Sequence, residues 1–134
     1  MTYRILVTGS RDWPDRQAIW QALAEIVREL PLGCEIVIVH GDCLTGADRQ
    51  ADDWALSFGA RVERHRAETF GPWPACGPRR NAHMVGLGAD ICLAFIGPCT
   101  SPRCRRPRPH DSHGTSGCAA LAEQAGIPVR RYTP

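Results

Sequence analysis

Apolar runs along the chain predict the strands of a sheet. Three continuous runs, at Arg4–Thr8, Glu35–His40 and Asp90–Ile96, predict buried strands, and the last, the most hydrophobic, is expected to be central. Runs of this kind without polar alternation are typical of a parallel sheet that is covered on both faces. A short alternating run at 61–65 predicts an edge strand, and the run at 126–132 predicts a closing strand.

Helical spacing fills the segments between these strands. Apolar residues three and four positions apart predict helices from Pro14 to Leu30, from Ala47 to Phe58, from Arg79 to about Val85 and from Thr115 to Ala125. Alternating strands and helices indicate an α/β fold. We therefore predict a single Rossmann-like domain over residues 1–134, with a mostly parallel sheet of about five strands flanked by helices.

Size and composition agree with one globular domain. The chain has 134 residues, of which 43% are hydrophobic and 22% charged. No apolar run approaches the roughly 20 residues of a membrane span, and Met1–Arg4 shows no signal-peptide pattern, so we expect a cytoplasmic protein without a membrane partner. The seven cysteines are then expected to be reduced thiols. The net charge of +2 does not by itself predict nucleic-acid binding.

A stretch rich in proline, arginine and cysteine, at about residues 97–113, forms an insertion before the last helix. Cys99, Cys104, His110 and His113 are of the residue types that bind zinc, although their spacing differs from that of a standard zinc finger. A structural zinc ion would supply folding energy to a loop so poor in apolar residues. We expect no other cofactor to be required.

The same insertion carries a cluster of arginines, Arg103, Arg105, Arg106 and Arg108. One interpretation is contact with the phosphates of nucleic acid, and the other is an ordinary solvated loop. The insertion has no aromatic residue, so base stacking within it is not supported.

Small and polar residues gather where the predicted strands end, which is where open α/β sheets bind ligands. Glycine lets the backbone approach a phosphate, free N–H groups at a helix start point toward it, and arginine adds bidentate contacts. Each glycine taken singly is better explained by a turn or a helix cap, but four such loops together favour a phosphate-bearing ligand. The candidate ligand residues are Gly9, Ser10, Arg11, Gly41, Thr45, Gly46, Asp48, Arg79, Arg80, Asn81, Gly114, Thr115 and Ser116.

Two carboxylates near these loops, Asp42 and Asp48, are the candidate catalytic residues for cleavage of an N-glycosidic bond. Each has a structural alternative, since Asp48 fits the first turn of a helix and Asp42 fits a turn. His40 and His83 are weaker acid–base candidates. Trp13 and Trp73 are candidates either for base stacking or for covering the core.

Several of these motifs together resemble one superfamily. They are Val7–Trp13, His40–Asp42 with Thr45–Asp48, Gly77–Pro78 with Arg80, Asn81 and Met84, and the helix start at Gly114–Thr115. The combination resembles the SLOG superfamily and, within it, the small YspA cpYpsA-related group of bacteria and phages. The insertion lies outside that pattern.

This resemblance implies a Rossmann-like fold that binds nucleotides or nucleotide-derived ligands at the strand exits. Related branches include phosphoribohydrolases, sensors of nucleotide signals and a recombination mediator that binds single-stranded DNA. The phosphoribohydrolase branch has P-G-G-x-G-T-x-x-E at the last helix start, whereas this chain has Ser112–Cys118 and lacks the glutamate. Such relatives often form dimers, and Trp20 is one candidate contact in a homodimer.

Overall fold

A parallel five-stranded sheet forms the centre of the computed structural model, which describes residues 1–134. The strands are β1 (Thr2–Gly9), β2 (Glu35–His40), β3 (Arg61–Arg64), β4 (Ile91–Phe95) and β5 (Val129–Tyr132). The helices are α1 (Arg16–Glu29), α2 (Gly46–Phe58), α3 (Cys76–Gly86) and α4 (His113–Gln124), and a short 3-10 helix covers Ala67–Phe70. This arrangement confirms the predicted α/β Rossmann-like fold.

The strand order is β3-β2-β1-β4-β5, and every neighbouring pair is parallel. β1 holds the middle position, with Leu6 opposite Val39 of β2 and Cys92 of β4. β4 is interior, as its hydrophobicity predicts, but it lies between β1 and β5 rather than at the middle. Burial on both faces makes a strand apolar wherever it lies inside a sheet, so the pattern does not set the order. β3 is at the edge, as predicted.

Helices cover both faces of the sheet. On one face, α1 and α2 pack through residues such as Leu23 and Trp54 against Ile5 and Phe95. On the other face, α3 and α4 contribute a smaller apolar layer, with the members Leu6, Val37, Val39, Met84, Val85, Cys92, Cys118, Ala122 and Ile127. Successive side chains of a strand alternate between faces, so β1 supplies both layers. All seven cysteines are free thiols.

Two helices begin two or three residues earlier than the periodicity predicts. α3 begins at Cys76 rather than Arg79, because Pro78 is tolerated in a first turn, where its missing N–H would have no helical partner. α4 begins at His113 rather than Thr115. The closing strand begins only at Val129, because the N–H of Ile127 still donates to Ala122 at the end of α4. None of the helices is long and apolar enough to cross a bilayer.

The insertion is a closed excursion between β4 and α4. Its two ends pair in antiparallel fashion: the N–H of Cys99 donates to the carbonyl of His110 at 2.7 Å, and that of Ser112 donates to Gly97 at 2.9 Å. Beyond an isolated bridge between Pro98 and Asp111, the insertion has no regular secondary structure. The predicted long loop is therefore confirmed, with both of its ends anchored at the edge of the sheet.

Candidate functional site

The strand order reverses direction between β1 and β4, and in doubly wound sheets the ligand crevice lies outside the carboxyl ends of two such strands. Ser10 and Gly97 follow these strands and contact each other. The N–H of Gly97 donates to Ser10 Oγ at 2.8 Å, and the N–H of Ser10 donates to the carbonyl of Phe95 at 3.1 Å. Ser10 is buried, so its hydroxyl oxygen helps to hold the two strand exits together.

The start of α2 packs tightly against the exit of β1. Gly46 has a φ of +71°, and a Cβ on it would overlap the backbone of Ser10, while a Cβ on Gly9 would overlap the side chain of Ala47. Thr45 Oγ1 donates to the carbonyl of Arg11 at 2.8 Å. Four of the predicted ligand residues, Gly9, Ser10, Thr45 and Gly46, therefore have a packing role that needs no ligand.

Arg80, in the first turns of α3, links the loops that follow β2 and β3. Its Nη1 donates to the carbonyls of Gly41 at 2.6 Å and His65 at 3.3 Å, and its Nε donates to Asn81 Oδ1 at 2.8 Å. Asn81 Nδ2 in turn lies 3.5 Å from the carbonyl of Gly114 at the start of α4. All these acceptors are neutral, so the charge of Arg80 is not neutralised by an ion pair.

Two further arginines at this edge are exposed and free of carboxylate partners. The guanidinium of Arg11 lies 5.2 Å from the ring centroid of Trp73, which is itself 53% exposed. Arg79 Nη1 lies 3.4 Å from the carbonyl of Phe70. Trp13, by contrast, is buried edge-on against Phe95, so of the two stacking candidates only Trp73 is open to a ligand.

The start of α4 carries the last three candidate ligand residues. Ser112 precedes the helix and makes no side-chain capping hydrogen bond, and the first turn contains no acidic residue. Thr115 is buried, Gly114 is exposed, and Ser116 Oγ is buried without a hydrogen-bond partner. The first turn of α4 therefore offers free backbone N–H groups and one hydroxyl without a partner.

The two candidate catalytic carboxylates have different environments. Asp48 is buried in the first turn of α2, and burial raises its pKa, opposed by the N–H of Cys43, which donates to it at 3.3 Å, and by the charge of Arg80. Asp42 has a φ of +56° and forms an ion pair with Arg66 at 3.2 Å. A buried carboxyl group with a raised pKa is suited to acid–base chemistry, whereas the Asp42 carboxylate is engaged by a cation.

His40 belongs to a buried network that the sequence did not reveal. Its Nε2 lies 2.7 Å from Asp52 Oδ2, and its Nδ1 accepts a hydrogen bond from the N–H of Asp42 at 2.9 Å. Asp52 also accepts two hydrogen bonds from Arg64, at 2.7 and 3.0 Å. With both ring nitrogens engaged, His40 serves the structure. The one available signal was the spacing of Asp48 and Asp52, which places two acids on the apolar face of α2.

Two surface cavities lie away from most of these residues. One, of about 490 Å³, lies between the carboxyl-terminal halves of α3 and α4 and is lined by small and apolar residues such as Val85 and Leu121. The other, of about 230 Å³, lies beside α2 and includes Asp42 among its lining residues. His83 is exposed beside Phe70 and His65 and lines neither.

Four side chains of the insertion form a group that fits a metal ion, as their residue types predicted. They are Cys99, Cys104, His110 and His113, and their ligand atoms all lie within 4.8 Å of one another. Cys99 is buried, and His113 is the first residue of α4. The group therefore connects the insertion to the helix whose first turn faces the crevice.

Comparison with known proteins agrees with this architecture. The model of the family described as "YspA, cpYpsA-related SLOG family" matches residues 3–70, from β1 to the 3-10 helix. The "Gene 61 protein" of Mycobacterium phage D29 is 42% identical over an alignment that covers 96% of this chain and 95% of the phage protein. No solved structure matches the chain. The chain therefore belongs to the YspA, cpYpsA-related SLOG family.

Proposed function

We propose that the chain binds a nucleotide or nucleotide-derived ligand at the carboxyl edge of its sheet, as a sensor or processing domain. The observation that carries the proposal is the distribution of unpaired positive charge. Half of the 16 arginines form ion pairs with carboxylates. The others are Arg11, Arg28, Arg79, Arg80, Arg103, Arg105, Arg106 and Arg108. Apart from Arg28, all of these lie at or beyond the carboxyl edge of the sheet, where an anion would supply the missing charge.

The ligand's parts fit different groups at this edge. Arg11 and Arg79 are exposed and suit a phosphate, which also gains from the uncapped first turn of α4. Trp73 offers a half-exposed ring, over which Arg11 lies, for the stacking of a base. Ser116 Oγ is a hydroxyl without a partner, and a ribose or phosphate oxygen would satisfy it.

Cleavage of the N-glycosidic bond of a nucleoside monophosphate is the alternative within the same site. Asp48 is the better candidate for its carboxyl group, since Asp42 is paired with Arg66. The glutamate of the related hydrolases has no counterpart in Ser112–Cys118. We therefore favour binding without turnover, and chromatography of the recovered ligand distinguishes the two: a released base would assign the hydrolase.

A nucleic-acid-binding module is the second alternative. It rests on Arg103, Arg105 and Arg106, which are exposed and have no hydrogen-bond partner among the side chains. Such binding would weaken steeply with salt, because each phosphate contact releases counterions. A labelled oligonucleotide titrated at two salt concentrations tests it, and a flat response removes it.

The proposed ligand binding requires no cofactor. A zinc ion at Cys99, Cys104, His110 and His113 would have a structural role instead.

The direct test of the proposal measures thermal stability against nucleoside monophosphates, ADP-ribose, NAD and cyclic dinucleotides. A ligand at about 100 times its Kd adds roughly 2.7 kcal/mol to the free energy of unfolding, which shifts Tm by several degrees. A ligand of the panel should produce that shift. If none does, the proposal fails.

Matched arginine variants then locate the site. Arg11→Met and Arg79→Met should each weaken binding about tenfold or more, because each removes charge-assisted hydrogen bonds to the anion. Arg28→Met removes an equally exposed, unpaired arginine from the end of α1, at the opposite edge of the sheet, and should leave affinity unchanged. Equal losses in all three variants would indicate nonspecific charge attraction.

A further inference from the structure

The geometry of the insertion points to a metal site built by its own side chains. Cys104 Sγ lies 3.4 Å from His110 Nε2 and 3.5 Å from His113 Nε2, and the two Nε2 atoms are 3.0 Å apart. For tetrahedral zinc, with Zn–S near 2.3 Å and Zn–N near 2.0 Å, sulfur and nitrogen ligands are about 3.5 Å apart and two nitrogens about 3.3 Å. Three of the four atoms are thus spaced as ligands around one ion, and Cys99 Sγ lies within 4.8 Å of each of them.

The tautomer of His110 suits this role. Its Nδ1 lies 2.9 Å from the carbonyl of Pro107, and because a carbonyl only accepts, Nδ1 must carry the proton. The lone pair of His110 is then on Nε2, which faces Cys104 and His113. A hydrogen bond from the far nitrogen of a histidine to a carbonyl is the usual support of a metal ligand.

Apolar burial contributes little to the folding of the insertion. Of residues 98–112, only Cys99 is buried, and the stretch contains no large apolar side chain. Arg108 braces the loop by donating to the carbonyls of Cys99 and Ser101. Arg103, Arg105 and Arg106 add like charges on the same loop. Metal binding can supply the energy that apolar burial does not provide here.

We propose that Cys99, Cys104, His110 and His113 bind one Zn²⁺ ion, which folds the insertion and fixes the first turn of α4. Two thiolates and two imidazoles are a donor set that zinc prefers, and four protein ligands leave no open position, so the site is structural. His113 is the first residue of α4, and the ion therefore holds the turn that carries Gly114 and Ser116. The zinc site itself is independent of the proposed function. Only the inference that the ion positions this turn to bind a ligand rests on the proposed function.

Metal content of the purified full-length chain is the primary test. After dialysis without chelator, we expect about one zinc ion per chain, as a closed four-ligand site requires. Cys104→Ser and His110→Ala should lose most of it, whereas Cys34→Ser, the same kind of change in a cysteine outside the group, should retain it. Substoichiometric zinc that is equal in all variants would overturn the proposal in favour of a hydrogen-bonded cluster without metal.

Spectroscopy of the wild-type chain keeps the test valid even where a variant fails to fold. Co²⁺ added to the metal-free protein should give the intense visible bands of a tetrahedral site and a thiolate charge-transfer band, and Zn²⁺ should abolish both. Weak octahedral bands would contradict the assignment.

Hydrogen exchange tests the structural role. Removing zinc with EDTA should speed exchange of amides in 98–116 and leave those of α1 unchanged, and this result does not depend on any nucleotide. Bound zinc whose removal leaves 98–116 equally protected would overturn the role in folding. Nucleotide affinity that is unchanged on zinc removal would separate the metal site from the ligand site, without affecting the proposed function.

Discussion

Asp48 and Asp52 lie one turn apart on the buried face of α2, and their surroundings shift their pKa values in opposite directions. Burial dominates at Asp48 and raises its pKa. At Asp52 the hydrogen bonds from Arg64 dominate, with a smaller effect of His40, and lower the pKa. One helix therefore carries a carboxylate that stabilises the fold and, one turn earlier, a carboxylate that burial destabilises.

We predict that Asp52→Asn destabilises the protein at neutral pH by about 2 kcal/mol, the scale of hydrogen bonds to a charged group. A carboxyl group with a pKa lowered by folding contributes stability above its unfolded pKa, and this contribution is lost as pH falls through the folded pKa. The difference between wild type and variant should therefore shrink below pH 3.8, the unperturbed value. Urea denaturation across pH measures it.

Asp53→Asn is the matched control for this prediction. Asp53 is the next residue of α2 and pairs with Arg16 and Arg49, whose side chains are more than half exposed. Surface pairs of this kind contribute about 0–1 kcal/mol. A loss in Asp52→Asn no larger than that in Asp53→Asn would show that the His40 network does not stabilise the fold.

The opposite sign is predicted for Asp48. A carboxyl group with a pKa raised by folding costs stability once pH exceeds its unfolded value, so Asp48→Asn should leave the free energy of unfolding at neutral pH unchanged or raise it. If Asp48 contacts the ligand, the same variant should bind the nucleotide more weakly. Urea denaturation and ligand titration of one preparation measure both. A variant that is destabilised and binds normally would assign Asp48 a purely structural role.

Ser10→Ala removes the only side-chain acceptor for the buried N–H of Gly97. Leaving a buried donor unpaired costs about 1–3 kcal/mol, so we expect a loss of this size in urea denaturation. Ser101→Ala, at an exposed serine of the insertion, should change stability by less than about 0.5 kcal/mol. An unaffected Ser10→Ala would mean that water replaces the hydroxyl, and that the crevice between β1 and β4 is already open.

Hydrophobic patterning predicted the fold well because buried residues recur at a regular spacing along a helix and form continuous apolar runs in a buried strand. Ile19, Leu23 and Ile26 recur at the helical spacing that predicted α1, and all three are buried. The alternating run at 61–65 was correctly assigned to an edge. Boundaries were less predictable: α3 starts at Cys76, since the same residues suit a turn or a first helical turn, and only tertiary contacts decide between them.

The sequence predicted that the candidate residues meet at the carboxyl edge of the sheet, but their contacts were less predictable. A glycine at a strand exit indicates that another group approaches the backbone closely, but it does not indicate whether that group belongs to a ligand or to the protein. At Gly46 the group is the backbone of Ser10. His40 contacts Asp52, 12 residues further along the chain, and Asp52 in turn accepts from Arg64, 12 residues beyond that, so no local pattern joins the three. The metal group was predictable from residue types because cysteine and histidine are rare and chemically distinctive.

The exposed ring of Trp73 gives the sharpest optical prediction. A base that stacks on this ring must share it with Arg11 or displace it, so a nucleotide should change tryptophan fluorescence. Trp73→Ala should weaken binding by roughly 1–3 kcal/mol, the measured range for base–aromatic stacking, and Trp73→Phe should restore most of it. Trp20→Phe is the control, because Trp20 is half-buried and donates to the carbonyl of Gln50 at 3.3 Å. Full affinity in Trp73→Ala would mean that the base binds elsewhere on the carboxyl edge. The variants Arg11→Met and Arg79→Met would still test where the phosphate binds.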